Sequence, residues 1–127
     1  MYQVIIVDDE PRILEGIIHL FPWNNFGFEV VASFTNGKEA LEYINAHPQV
    51  DIVMTDIQMP VMTGQELCQA IHAEMPDRSF PIFVMTSMTD REHREWTAEI
   101  PRLQLLEKPL SMRILMQKFD QVFGAAD

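Results

Sequence analysis

At 127 residues and 14.7 kDa the chain has the length of one domain, enough to bury a single core. Hydrophobic residues make up 47% and charged residues 22%, an ordinary balance for a globular protein. The formal net charge of −10 repels phosphate backbones and anionic lipid, so neither nucleic acid nor a membrane is expected as a direct partner. A single cysteine, Cys68, excludes an internal disulfide and fits a reducing compartment. Set among Leu67, Ala70 and Ile71, it reads as a small core residue rather than a reactive thiol. The first residues run straight into an apolar strand without a basic stretch and a long apolar one, and no segment approaches transmembrane length. The cytoplasm is the expected location.

Short apolar runs alternate with amphipathic stretches along the chain. Val4 to Val7 predicts a first strand, and Pro11, whose fixed φ suits a first helical position, opens a helix. Ile13, Leu14, Ile17, Ile18 and Phe21 recur along it at helical spacing. Pro22 to Gly27 carries breakers at both ends and reads as a loop, and Phe28 to Phe34 as the second strand. Asn36, with Glu39 three residues on, signals the start of a helix carrying Ala40, Leu41 and Ile44. The third strand is expected over Ile52 to Thr55. Thr63 and Glu66 form a capping-box pattern for a helix with Leu67, Ala70 and Ile71. Pro81 to Thr86 reads as the fourth strand, Thr89 with Glu92 as another capping pair, and 90–99 as a charged helix anchored by Trp96. Leu103 to Leu106 is a short fifth strand, followed by a last helix marked by Ile114, Leu115, Phe119 and Val122.

Strands that are apolar throughout suit a sheet covered on both faces. Five alternations of strand and helix predict a single doubly wound α/β domain with a five-stranded parallel sheet. Periodicity does not fix strand order; the flavodoxin-like order 2-1-3-4-5 is the leading expectation. The rival is a piece of a dinucleotide-binding domain, but no G-x-G-x-x-G follows the first strand and no Walker-type loop occurs.

The polar residues at the strand ends carry the chemistry. Asp8 and Asp9 follow strand one, Asp56 ends strand three, Thr86 ends strand four and Lys108 follows strand five. In a parallel sheet these ends share one edge, where such folds bind ligands. If strands one and three are neighbours, Asp8, Asp9 and Asp56 crowd together. Each pair of like charges at roughly 4 Å costs about 4 kcal/mol at an effective dielectric near 20, which calls for a cation or a raised pKa. Hard oxygen donors suit Mg²⁺, while His19, His47, His72 and His93 are scattered and read as incidental. A carboxylate beside Mg²⁺, a lysine and a hydroxyl is an arrangement that accepts a phosphoryl group.

On four separated motifs the chain resembles the response-regulator receiver domains, the CheY-like family. They are Val4-Ile5-Ile6-Val7-Asp8-Asp9-Glu10-Pro11, Asp56 to Gly64, Met85-Thr86-Ser87 and Glu107-Lys108-Pro109. Thr86 lies 30 residues and Lys108 52 residues beyond Asp56, as in the family. The resemblance implies that Asp56 is the phosphoacceptor. It implies that Asp9, Asp56 and the backbone carbonyl of Gln58 ligate Mg²⁺, with Asp8 acting largely through water. It makes Thr86 the switch hydroxyl, makes Lys108 a contact of the phosphoryl group and favours a cis Lys108-Pro109 peptide. It implies a sensor histidine kinase as donor and allows a homodimer. The chain would not be an enzyme in the usual sense, since it would catalyse its own phosphorylation and slow dephosphorylation.

Leu20 to Val31 resembles the subfamily joined to a C-terminal AraC-type DNA-binding region, so the chain is expected to be a receiver excerpt of a longer transcription regulator. A stand-alone receiver is the other arrangement, and DNA would be reached only through a region not in this chain. Thr63 stands where an acidic residue is common, Pro101-Arg102 where Gly-Ala is usual, and Leu105 where an aromatic residue reports the switch. Leu105 is expected to stay buried in either state. A pseudo-receiver kept for docking is the alternative, but it would usually lack one of Asp8, Asp9, Asp56, Thr86 or Lys108. A phosphatase with an aspartyl nucleophile would want a carboxylate at Gln58.

Overall fold

In a computed structural model of the chain, residues 1–86 and 93–123 are described, the side chain of Phe123 excepted. Ser87 and the Thr89–Glu92 capping pair lie outside the described residues. Five strands, β1 (Tyr2–Val7), β2 (Phe28–Phe34), β3 (Ile52–Asp56), β4 (Ile82–Thr86) and β5 (Leu103–Glu107), form one parallel sheet in the order β2-β1-β3-β4-β5. Five helices connect or follow them: α1 (Pro11–Leu20), α2 (Gly37–Ala46), α3 (Gly64–Glu74), α4 (Arg94–Glu99) and α5 (Met112–Phe123). The fold class and strand order are those expected.

Side chains that alternate along each strand point to opposite faces, and both faces are dry. Ile5, Val7, Val53, Ile82 and Val84 pack with Ala40, Ile44, Leu67, Cys68, Ile71 and Trp96, so α2, α3 and α4 cover one side. Val4, Ile6, Met54, Phe83 and Met85 pack with Leu14, Ile17, Leu115 and Phe119, so α1 and α5 cover the other. This explains why the strands read as continuous apolar runs.

The local signals operate as predicted. Pro11 opens α1. The Asn36 side chain accepts from the Glu39 amide at 2.9 Å. Thr63 Oγ accepts from the Glu66 amide at 3.1 Å while Glu66 accepts from the Thr63 amide at 3.0 Å, closing the capping box. Several boundaries shift by a residue or two: β1 starts at Tyr2, β3 runs on to Asp56, β5 runs on to Glu107, and α1 stops at Leu20, before Phe21. Pro81 gives its carbonyl to the Val53 amide (3.2 Å) but has no N–H to offer, so β4 begins one residue later. The loop expected over Pro22 to Gly27 contains a 3-10 turn, Trp23–Phe26. Trp23 is buried there, donates to the Ile17 carbonyl at 2.9 Å and lies 6.3 Å from the Phe119 ring. An aromatic anchor tightens what the breakers alone predict to be open.

Candidate functional site

The C-terminal edge of the sheet gathers the polar strand ends. Asp8 leaves β1 with its amide on the Phe34 carbonyl (3.0 Å), and its Oδ1 accepts from the Glu10 amide at 3.0 Å, fixing the turn into α1. β1 and β3 pair with Val7 opposite Thr55, which sets Asp8 beside Asp56. Asp56 is half-buried, and its Oδ1 accepts from the Ile57 amide at 2.9 Å. Asp8, Asp9 and Asp56 each offer a carboxylate oxygen, all within 4.8 Å of one another.

Lys108 enters from the far side. Its amide donates to the Thr86 carbonyl at 2.7 Å, the Lys108-Pro109 peptide is cis, and Nζ lies 3.2 Å from Asp56 Oδ1 and 3.7 Å from Asp8 Oδ2. Thr86 ends β4, buried, one row beyond the Asp56–Met85 pair. Gln58 is exposed in the loop leaving β3. The structure thus brings Asp8, Asp9, Asp56 and Lys108 together and places Thr86 and Gln58 on the flanking segments.

Three carboxylates against one ammonium leave the cluster negative. Asp8 bears most of the cost. Burial pushes its carboxyl above the ordinary range, and Asp56 and Asp9 push the same way, against the Glu10 amide and Lys108. Asp8 Oδ2 is buried and accepts no hydrogen bond from the described residues. The Lys108 ammonium, 3.7 Å from this oxygen, offsets only part of the cost of burying it, since the Asp8 carboxyl is still pushed up. Further positive charge would relieve the rest. Oxygen donors only, with no histidine or thiol in the cluster, fit Mg²⁺ better than a transition metal.

Sequence reasoning picks up Gly64 only as part of a motif. A Cβ at this position would lie 2.0 Å from the Asp56 carbonyl oxygen and 2.9 Å from Ile57 Cα, and its amide donates to the Ile57 carbonyl at 2.7 Å. Glycine lets α3 start directly against the backbone that carries Asp56.

The family model for the response regulator receiver domain matches residues 4–120. The chain belongs to that family. This receiver domain is 30% identical over 124 residues to an uncharacterized transcriptional regulatory protein, YesN of Bacillus subtilis, covering 98% of the chain and 33% of YesN. It is 32% identical over 111 residues to the transcriptional regulatory protein HptR of Staphylococcus aureus, covering 87% of the chain and 42% of HptR. The chain therefore spans less than half the length of these relatives. Among solved structures, the receiver domain of the response regulator AraT from Geobacillus stearothermophilus superposes with a TM-score of 0.80 at 31% identity. That match covers 95% of this chain and 92% of the other. Among the described residues, no helix of the receiver domain is long and apolar enough to cross a membrane.

Proposed function

We propose that this receiver domain accepts a phosphoryl group on Asp56 from a sensor histidine kinase in the cytoplasm, in a reaction that requires Mg²⁺. The observation that carries the reading is the contact of Lys108 Nζ with Asp56 Oδ1 at 3.2 Å beside the Asp8–Asp9–Asp56 cluster. An Asp56 carboxylate oxygen attacks phosphorus, the bond from phosphorus to the donor's imidazole nitrogen breaks, and the imidazole leaves. Lys108 balances charge on the phosphoryl oxygens, and the Thr86 hydroxyl donates to one of them. Asp9, Asp56 and the Gln58 carbonyl would hold Mg²⁺, with Asp8 beside them. When bound, the ion supplies positive charge to the cluster and to the transferring group. Attack by water on the phosphorus of the acyl phosphate breaks its bond to the Asp56 oxygen, which releases inorganic phosphate and returns the carboxylate.

The output would be transcriptional, as the relatives' names suggest, with DNA contacted by a C-terminal region outside this chain. The phosphoryl group adds about −1.5 to −2 charges and would draw the Thr86 hydroxyl inward. Leu105 is half-buried rather than buried, pairs with Val84 in the β4–β5 register and packs on the α2–α3–α4 side. A hydrophobe with no outward preference contributes little differential energy between the two states, so the change relayed through it is small. Incubation with acetyl phosphate tests the reaction. The expected result is one acid-stable, base-labile phosphoryl group per chain with Mg²⁺ and none with a chelator; equal labelling in both overturns the metal requirement.

A further inference from the structure

The loop from β3 to α3 contains a strained backbone position. Val61 has φ 67°, and the Met62 amide donates back to the Pro60 carbonyl at 2.7 Å. A hydrogen bond across two residues around a positive φ is the rarer, strained form of γ-turn, and a β-branched residue is poorly suited to it. Burial gives no compensation, since Val61 is 76% exposed. Such a conformation persists only where its surroundings impose it.

Those surroundings are two close backbone approaches. The Met62 carbonyl accepts from the Gly37 amide at 3.2 Å, satisfying one of the donors that the first turn of α2 leaves unpaired. The approach needs glycine, because a Cβ on Gly37 would lie 2.6 Å from Met62 O and 3.0 Å from Met62 Cγ. On the other side Gly64 seats the loop on Asp56 and Ile57. The loop is therefore clipped to α2 at one end and to the acceptor strand at the other, and Val61 sits between the clips under strain. Releasing the Met62–Gly37 clip lets Val61 return to negative φ, so this opening is cheaper than it would be with a relaxed residue at that position.

We propose that the β3–α3 loop opens locally as a gate beside Asp56 and that strain at Val61 sets how often it opens. Opening frees the Met62 and Gly37 amides together and draws Gln58 away from the acceptor edge.

Native-state hydrogen exchange on the ¹⁵N-labelled chain tests the gate. The Met62 and Gly37 amides are expected to exchange faster than the sheet amides of Val53 and Ile82. Val61→Asn, which tolerates the left-handed region, is expected to slow both loop amides by roughly five- to a hundredfold. Loop amides that exchange as slowly as the sheet overturn the local opening. Fast loop amides that Val61→Asn leaves unchanged overturn the role of the strain. Adding Mg²⁺ to the wild type should slow the two amides further. That arm alone rests on the reading of the edge as a metal site, so its failure with the first two results intact counts against that reading and not against the gate.

Discussion

Replacing Asp8 by Asn removes one negative charge from the cluster while keeping the side chain's shape and its bond from the Glu10 amide (3.0 Å). Carboxylates within 4.8 Å of one another repel by about 3.5 kcal/mol per pair at an effective dielectric near 20. Lys108 at 3.7 Å returns about 4.5 kcal/mol by the same relation. Two repulsions outweigh one attraction, and burial of the charge adds to the deficit. After screening by solvent at the open side of the cluster, the variant should be more stable than the wild type by about 1–2 kcal/mol. For a domain of this size that raises Tm by roughly 3–10 °C.

The assay is thermal denaturation in chelator across pH. Because the fold raises the Asp8 pKa above its ordinary 3.8, the folded state binds that proton more tightly than the unfolded state. The wild type then loses stability as pH rises from the ordinary value through the raised one. The wild-type deficit relative to Asp8→Asn should therefore vanish at acid pH and be complete at neutral pH. Adding Mg²⁺ should stabilise the wild type and move the variant much less. A wild type as stable as Asp8→Asn in chelator at neutral pH would refute the electrostatic account of the site.

Three further outcomes follow from the packing. Gly64→Ala forces a Cβ against the Asp56 carbonyl and should cost about 3 kcal/mol, read as a lower urea midpoint together with slower labelling by acetyl phosphate. Arg78→Met removes donors from the Phe80, Pro101 and Arg102 carbonyls and should cost about 2–4 kcal/mol, with the urea midpoint again the measure. Burial pushes the Cys68 thiol up to about 12, so iodoacetamide at pH 8 should leave it unmodified until urea unfolds the chain.

Much of the site was legible because the residues that matter stand at the ends of apolar runs. A parallel sheet sends all such ends to one edge, so Asp8, Asp56 and Lys108 meet once the strand order is right, and the common order for a five-stranded doubly wound sheet is the one observed. Val61 was not legible, since no composition rule places a valine at positive φ; it lies between the Gly37–Met62 hydrogen bond and the Gly64 seat. Nor was the opposite pole. Arg102, at φ 55°, donates to the Arg78 and Ser79 carbonyls while Arg78 donates to those of Pro101 and Arg102. This reciprocal clasp joins segments more than twenty residues apart, with no charge complementarity to announce it. It also gives Arg102 a structural task where the family usually has a small residue. Leu105 was expected to be buried and is half-buried, because exposure at a sheet's last strand depends on how far the flanking helices reach over it.

The measurement that bears most directly on the central claim is the position of the phosphoryl group. Wild type and Asp56→Asn, treated in parallel with acetyl phosphate and Mg²⁺, would be compared by intact mass and then by peptide mapping. The account predicts one added phosphoryl group in the wild type, mapped to Asp56, and none in the variant. Undiminished labelling of Asp56→Asn would contradict it.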